Sequence, residues 1–168
     1  MPKVHWPIEG QVEFRDVKLS YRSDGPLVLK GVSFKVNAGE KIGVVGRTGA
    51  GKSTLMLALS RIVEISGGTI EIDGENIAKI PLKILRQKVT VIPQDASLFA
   101  GTLRYNLDPA NQETDERLME VIHKASLDRL QGQLDFEISS NGSNLSAGEK
   151  QLICICRAVL RVITIPIT

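Results

Sequence analysis

The octapeptide at residues 46–53, Gly-Arg-Thr-Gly-Ala-Gly-Lys-Ser, constrains the fold of this chain more than any other sequence feature. It fits the pattern G-x-x-x-x-G-K-[ST] at every position. An apolar run at residues 41–45 precedes it and predicts a buried strand. The apolar pattern over residues 52–62 predicts a helix, most of whose surface would be buried. Strand, loop and helix in this order are the context that a phosphate-binding loop requires, so we predict an α/β domain built around it.

The chemistry of the loop follows from its glycines and its lysine. Glycines let the backbone curl so that successive N–H groups point at phosphate oxygens, and the helix N-terminus adds partial positive charge. Lys52 would bridge the β- and γ-phosphates, and the Ser53 hydroxyl would bind Mg²⁺. A glycine-rich turn with a solvated lysine is the structural alternative. The loop by itself also fits a GTPase, a small-molecule kinase or a helicase. The residues predicted to contact nucleotide are Gly46, Arg47, Thr48, Gly49, Ala50, Gly51, Lys52 and Ser53.

Composition argues against two other classes of function. The 21 Lys and Arg residues nearly balance the 19 Asp and Glu residues, and aromatic residues make up 4% of the chain. Nucleic-acid binding usually needs a concentrated basic face or an aromatic stacking platform, and neither is expected here. No apolar run approaches the roughly 18–20 residues of a membrane-spanning helix, and the N-terminus lacks a signal-peptide pattern. A membrane role must therefore come through another segment or another chain.

The remaining periodicities predict an antiparallel β portion at the N-terminal end, followed by α/β structure. Residues 1–10 resemble a linker. Asp73-Gly74 favours the tight turn of a hairpin. Cys154 and Cys156 are two positions apart on one predicted helix, so their side chains point to different sides and cannot pair, which favours two buried free thiols. The predicted strands are 12–21, 28–36, 69–72, 75–77 and 89–92, and the further predicted helices are 81–87, 115–126 and 146–160.

Three segments together resemble the nucleotide-binding domain of ATP-binding cassette (ABC) transporters. Within that family the chain is most similar to the second cassette of the C subfamily, the multidrug-resistance-associated efflux proteins. The resemblance runs from about residue 10 to residue 161, and its motifs are separate and in the expected order. The three segments read VLKGVSFKVNAGEKIGVVGRTGAGKSTLMLALSRIVEISGGTIEIDG, VIPQDASLFAGTLRYNLDP and NLSAGEKQLICICRAVLR.

The resemblance implies roles for residues outside the loop. Tyr21 would stack on adenine, the alternative being a strand tyrosine of the core. Gln94 would touch Mg²⁺ and the attacking water, in a loop that faces the membrane domain; the alternative is an ordinary polar loop residue. Thr54 would join the nucleotide contacts. The expected catalytic residues are thus Lys52 and Gln94, and the expected metal contacts are Ser53 and Gln94.

Residues 145–149, LSAGE, correspond to the family signature, commonly LSGGQ. Ser146 and Gly148 would form a second anion site that closes over the γ-phosphate held by a partner cassette, head to tail. The alternative is an ordinary N-cap in which Ser146 and Glu149 form a capping box, and both readings can hold together. Ala147 replaces a glycine, which is a mild change. Glu149 replaces a glutamine, and its carboxylate near a phosphate site is expected to weaken closure.

The family continues after residue 161 into a strand that ends in Asp-Glu, followed later by a histidine. Here the sequence reads Val-Ile-Thr-Ile-Pro-Ile-Thr over residues 162–168. The resemblance thus implies a partial cassette at residues 11–168, without the Walker B Asp, catalytic Glu, D-loop and switch histidine. We expect slow ATP hydrolysis by this chain alone and exposed sheet edges.

The resulting expectation is a cassette that binds ATP with Mg²⁺ to power export of amphipathic or conjugated substrates by a membrane efflux transporter. Its expected partners are a second nucleotide-binding domain and the transmembrane domains, with the cassette on the cytoplasmic side. One alternative is a non-hydrolytic module that binds nucleotide or docks on an intact cassette, supplying only the Ser146 face. Another is a soluble ABC ATPase of translation or chromosome maintenance.

Overall fold

A computed structural model describes residues 6–47, 49, 51–92, 95–161 and 165–167 of the chain. The chain divides into two units, the first ending at Val91 and the second beginning at Ile92, with Ile167 grouped with the first. The strands are β1 (Val12–Leu19), β2 (Leu29–Val36), β3 (Gly67–Ile72), β4 (Glu75–Asn76), β5 (Val89–Val91), β6 (Gly101–Thr102), β7 (Glu137–Ile138) and β8 (Ile165–Ile167). The helices are α1 (Lys52–Leu59), α2 (Leu82–Lys88), α3 (Leu103–Leu107), α4 (Asp115–Lys124) and α5 (Ala147–Leu160).

The first unit contains the predicted antiparallel sheet, with strand order β2-β1-β3-β4. Phe14 and Leu19 of β1 lie in the core, where they are 2% and 0% exposed. Phe14 pairs with Phe34 of β2, and their rings stack with centroids 4.5 Å apart. The hairpin between β3 and β4 turns at Asp73 and Gly74, both with positive φ, as the Asp-Gly dipeptide predicts.

A bulge in β1 shifts the alternation halfway along the strand. The pairing of β1 with β3 changes register between Arg15 and Lys18, and Asp16 has a φ of 47°. The bulge presses the carbonyl oxygen of Asp16 against Gly68, where a Cβ atom would lie only 2.3 Å from that oxygen. Only glycine fits there. The bulge lets residues on both sides of it face the same core although their spacing is odd.

The segment before β1, expected to be a linker, lies on the sheet from Trp6 onward. The Trp6 side chain is buried, and its indole N–H donates to the carbonyl oxygen of Ile72 at 2.8 Å. The carboxylate of Asp73 accepts four backbone N–H groups, from Ile8 (2.6 Å), Glu9 (3.0 Å), Gly10 (3.2 Å) and Gln11 (2.8 Å). One aspartate therefore fastens the whole segment to the turn between β3 and β4.

The strand predicted at residues 41–45 is wrong. Residues 41–47 have no regular structure, and the side chains of Ile42, Val44 and Val45 are 48%, 50% and 97% exposed. Within the described residues, no strand of the first unit pairs with this run. An apolar, β-branched run favours a strand only when a neighbouring strand takes up its backbone N–H and C=O groups.

The second unit is built around α5, whose apolar face packs against α3 and α4. Leu103 of α3, Leu118 of α4 and Ile153 of α5 are fully buried in one cluster. Cys154 and Cys156 are free and buried, as predicted, and burial raises the pKa of Cys156 to about 11. The helices predicted at 115–126 and 146–160 are confirmed within two residues at each end.

In the part of the chain that the structure describes, no helix combines the length and the apolar character that crossing a membrane requires. The sequence pattern did not reveal α3 or the short strands β6 and β7, which contain five residues or fewer each.

Candidate functional site

The phosphate loop leads directly into α1, which begins at Lys52. Gly51 is the N-cap residue and has a left-handed conformation, with φ of 91° and ψ of 10°. A Cβ atom at Gly51 would lie 3.2 Å from the Cδ2 atom of Leu29 and 3.5 Å from Val28. Both the backbone angle and the contact with β2 therefore require glycine at this position.

Gly49 provides the open side of the loop. It has a φ of 83°, it is exposed, and no atom lies within 4 Å of the position that a Cβ would take. Gly46 and Arg47 are exposed as well, whereas Thr48 and Ala50 lie outside the described residues. The N–H groups of the first turn of α1 have no acceptor inside the helix, as at every helix N-terminus. Exposed glycines beside such N–H groups suit an anion.

The ammonium group of Lys52 lies across this loop. Its Nζ atom donates to the carbonyl oxygen of Gly46 at 2.5 Å and to that of Arg47 at 3.1 Å. A lysine at the first position of α1 thus bends back over the loop that precedes the helix. Its charge is placed beside the exposed backbone of the loop, where a polyphosphate would need it.

Tyr21 and Thr54 are joined by a hydrogen bond between their hydroxyl groups, 2.8 Å long. The bond attaches the segment after β1 to the first turn of α1, although the two residues are 33 positions apart. The Tyr21 side chain is 54% exposed, so the alternative interpretation of the sequence, in which Tyr21 belongs to the core, is wrong. Thr54, in contrast, is 4% exposed, and its hydroxyl group is engaged with Tyr21. Its side chain supports Tyr21 and is not itself open to solvent.

The predicted metal contacts differ in how far the structure describes them. Ser53 follows Lys52 in the first turn of α1, and its side chain is exposed beside the loop. Gln94 lies outside the described residues, so its predicted role stays a prediction. Among the residues that the structure does describe, no three His, Cys, Asp or Glu side chains gather into a metal site. The single serine hydroxyl exposed beside the loop is a donor that fits Mg²⁺ bound jointly by protein and phosphate.

In the second unit, Ser146 caps α5 in the predicted capping box. Its Oγ atom accepts the N–H of Glu149 at 3.2 Å, and its own N–H donates to the Glu149 carboxylate at 2.7 Å. Ser146, Ala147 and Gly148 are all exposed, and no atom lies within 4 Å of a Cβ placed at Gly148. The start of α5 is therefore an open, well-capped helix end.

The Glu149 carboxylate does not point freely toward the open helix end. Its second oxygen accepts the Nε–H of Arg129 at 2.7 Å, and the Glu149 side chain is 20% exposed. The Ser146 N–H, and after it the Arg129 guanidinium, hold the pKa of Glu149 below its ordinary value against the effect of partial burial. The charge that the sequence places near a phosphate site is thus paired within the unit. Arg129 was missed because it is 20 residues away from Glu149.

A second arginine, also missed, ties α5 to α3 and to the segment before it. The Arg157 guanidinium donates to the carbonyl oxygen of Ser97 at 2.8 Å, to the Asn106 Oδ1 atom at 2.8 Å and to the Asn106 carbonyl oxygen. It also lies over the ring of Phe99, 5.8 Å from the centroid. Its partners lie 51 and 60 residues earlier in the chain, and no local pattern marks them. This residue fixes the shape of the segment that begins soon after Gln94.

Comparison with known proteins places these features in one family. The sequence profile of the family described as "ABC transporter" matches residues 29–167. The chain is 49% identical over 164 residues to "ABC transporter C family member 3" of Dictyostelium discoideum, and 49% identical to "ATP-binding cassette sub-family C member 2" of Rattus norvegicus. Each alignment covers 95% of this chain but only 12% and 11% of the two relatives, respectively.

The fold is also found in a solved structure, described as "Structure of a bacterial Atm1-family ABC exporter with ATP bound". The two folds superimpose with a TM-score of 0.87 at 33% sequence identity. The match covers 94% of this chain and 28% of the exporter chain. The α/β cassette with an N-terminal antiparallel β portion, expected from the sequence, is therefore confirmed.

Proposed function

Because this chain belongs to the ABC transporter family, we propose that it binds ATP with Mg²⁺ through the loop at residues 46–53 and Tyr21. Bound nucleotide would supply a negatively charged polyphosphate and its divalent cation. The single observation that carries the proposal is the open glycine loop at the start of α1, with the Lys52 ammonium lying across it.

Each described residue has a separate part in this binding. Backbone N–H groups at the start of α1 would donate to phosphate oxygens, and Lys52 would add a charge-assisted hydrogen bond. The exposed Ser53 hydroxyl would hold Mg²⁺. The ring of Tyr21 would stack on the base, since its face is open to solvent and its hydroxyl group is fixed by Thr54. Gln94 would add a contact to Mg²⁺ and to the attacking water.

We further propose that the cassette works within a C-subfamily efflux transporter. ATP would draw the open end of α5, at Ser146 and Gly148, onto the phosphate held by a second cassette. The transmembrane domains of the transporter, on whose cytoplasmic side the cassette would lie, would then export amphipathic or conjugated substrates. Support comes from the two C-subfamily relatives and from the exporter, whose chains are much longer than this one.

Titration of the 168-residue chain with a fluorescent ATP analogue in the presence of Mg²⁺ tests nucleotide binding. Lys52→Ala should weaken binding by at least about tenfold, because a charge-assisted hydrogen bond to phosphate is lost. Lys41→Ala is the matched control, an exposed lysine shortly before the same loop. Equal affinities of wild type and Lys52→Ala would contradict the proposed site.

A second pair of variants tests the role of Tyr21. Tyr21→Ala removes the ring and should weaken binding roughly fivefold or more, since stacking on a base contributes about 1–3 kcal/mol. Tyr21→Phe keeps the ring and loses only the bond to Thr54, so most of the affinity should remain. If Tyr21→Phe binds as weakly as Tyr21→Ala, the hydroxyl group and not the ring carries the interaction.

A further inference from the structure

Arg129 makes three contacts within the second unit, and its side chain is 56% exposed. It lies in the short 3₁₀ turn Asp128–Leu130, and its carbonyl oxygen accepts the side-chain amide of Gln133 at 2.9 Å. Its guanidinium lies over the ring of Phe136, 5.5 Å from the centroid, while its Nε–H donates to Glu149 at 2.7 Å. The ring of Phe136 and the Glu149 carboxylate are therefore the two groups that orient the guanidinium.

Both oxygens of the Glu149 carboxylate are used, and each has a different partner. One accepts the Ser146 N–H and so completes the capping box, and the other accepts the Arg129 Nε–H. The carboxylate is thereby turned back toward Ser146 and the turn that contains Arg129. Rotation of Glu149 toward solvent would break both hydrogen bonds at once.

This arrangement matters at the open end of α5, where the N–H groups of Ala147 and Gly148 have no acceptor inside the helix. The Ser146 hydroxyl group can still donate its own hydrogen, since its Oγ atom acts only as an acceptor in the capping box. These donors favour an anion. An unpaired carboxylate three residues from the cap would oppose the anion by like-charge repulsion.

We infer that Arg129 is a positioning residue for the signature end of α5: it neutralises Glu149 and holds it in the capping box, so that Ser146 and Gly148 can receive the phosphate of an opposing cassette. The inference rests on the proposed function, because it concerns the face that would close on nucleotide held by a second cassette. It explains how glutamate can take the place of glutamine at this position without blocking closure.

Sedimentation velocity of the 168-residue chain, with and without MgATP, measures this closure as association of two copies. Arg129→Ala should weaken the ATP-dependent association by about tenfold, because like charges placed together across an interface are strongly unfavourable. Glu149→Gln in the Arg129→Ala background should restore association to within about twofold of wild type, since it removes the unpaired charge. Arg129→Lys keeps the charge and should retain most of the association.

Two controls separate an electrostatic role from a structural one. Arg117→Ala removes an arginine that pairs with Glu120 on the surface of α4, and it should leave association unchanged. At a chain concentration at which wild type is monomeric, affinity for the fluorescent ATP analogue should be the same in wild type and Arg129→Ala, since Arg129 lies at the signature end of α5 and not at the phosphate loop. A thermal melt of each variant reports any loss of folding, which Glu149→Gln would not repair.

The results that overturn the inference differ from those that overturn the proposed function. If wild type associates with MgATP and Arg129→Ala associates equally well, or Glu149→Gln fails to rescue it, the inference alone is wrong. If wild type binds nucleotide without associating, the proposed closure is wrong and the inference falls with it. Absence of nucleotide binding by wild type overturns the proposed site itself.

Discussion

Removal of the Asp73 carboxylate should release the N-terminal segment from the sheet while the sheet itself stays folded. Asp73 accepts four backbone N–H groups from residues 8–11, and Trp6 lies buried just before them. Asp73→Ala leaves these donors without a partner. Asp73→Asn keeps one acceptor oxygen and a residue type that tolerates the positive φ of 50° at this turn.

The free energy lost in these variants can be estimated from the exposure of each hydrogen bond. The two bonds from Gly10 and Gln11 are partly buried and should contribute about 1 kcal/mol each, whereas those from Ile8 and Glu9 are exposed and contribute a few tenths each. Alanine at a left-handed position adds about 1 kcal/mol of strain. The free energy that holds the segment on the sheet should therefore fall by about 3–4 kcal/mol in Asp73→Ala and by roughly half of that in Asp73→Asn.

The single tryptophan of the chain makes the release directly measurable. In wild type the Trp6 side chain is 4% exposed, so its emission should be blue-shifted relative to free tryptophan. Asp73→Ala should shift the emission to the solvent value at a denaturant concentration at which far-ultraviolet circular dichroism is unchanged. Asp24→Ala, a change at an exposed aspartate elsewhere in the first unit, is the control.

Acid should weaken the attachment of the same segment to the sheet. Partial burial raises the pKa of Asp73, but the N–H groups of Glu9, Gly10, Gln11 and Ile8 together outweigh it and leave the pKa below its ordinary value of 3.8. The stabilisation is therefore complete above pH 3.8 and is lost as the pH falls through the lowered pKa. Solvent-like Trp6 emission in wild type at neutral pH, or identical emission in wild type and Asp73→Ala, would refute the reasoning.

Three further predictions concern other parts of the chain. Gly51→Ala should abolish binding of the ATP analogue. Gly39→Ala changes a glycine that is also left-handed but has no atom near the added Cβ, and it should leave binding intact. Equal effects of the two substitutions would contradict the steric argument at Gly51. Arg157→Ala should lower the free energy of unfolding by about 2–4 kcal/mol in a urea titration, because it removes the hydrogen bonds to Ser97 and to the buried Asn106, and Arg157→Lys should recover part of this. Cys156 should resist iodoacetamide at pH 8 until urea unfolds the chain, since its pKa is about 11 and it is fully buried; rapid labelling of the native chain would disprove this.

The motifs that the sequence revealed are those whose interactions are local. The phosphate loop, the Asp73-Gly74 turn and the capping box of Ser146 and Glu149 each depend on residues that are at most a few positions apart. Such interactions are encoded by residue type and spacing, since the backbone geometry of a turn or helix end brings these residues together in any fold. The family resemblance of the chain could be identified for the same reason.

The interactions between residues far apart in the chain could be determined only from the tertiary structure. The ion pair of Arg129 with Glu149 spans 20 residues, the bond of Tyr21 to Thr54 spans 33, and the Asp73 anchor spans more than 60. The strand predicted at residues 41–45 was wrong for the same reason, because an apolar run forms no strand without a partner for its backbone. Composition and spacing specify which groups need partners, but only the packed chain determines which distant group supplies each one.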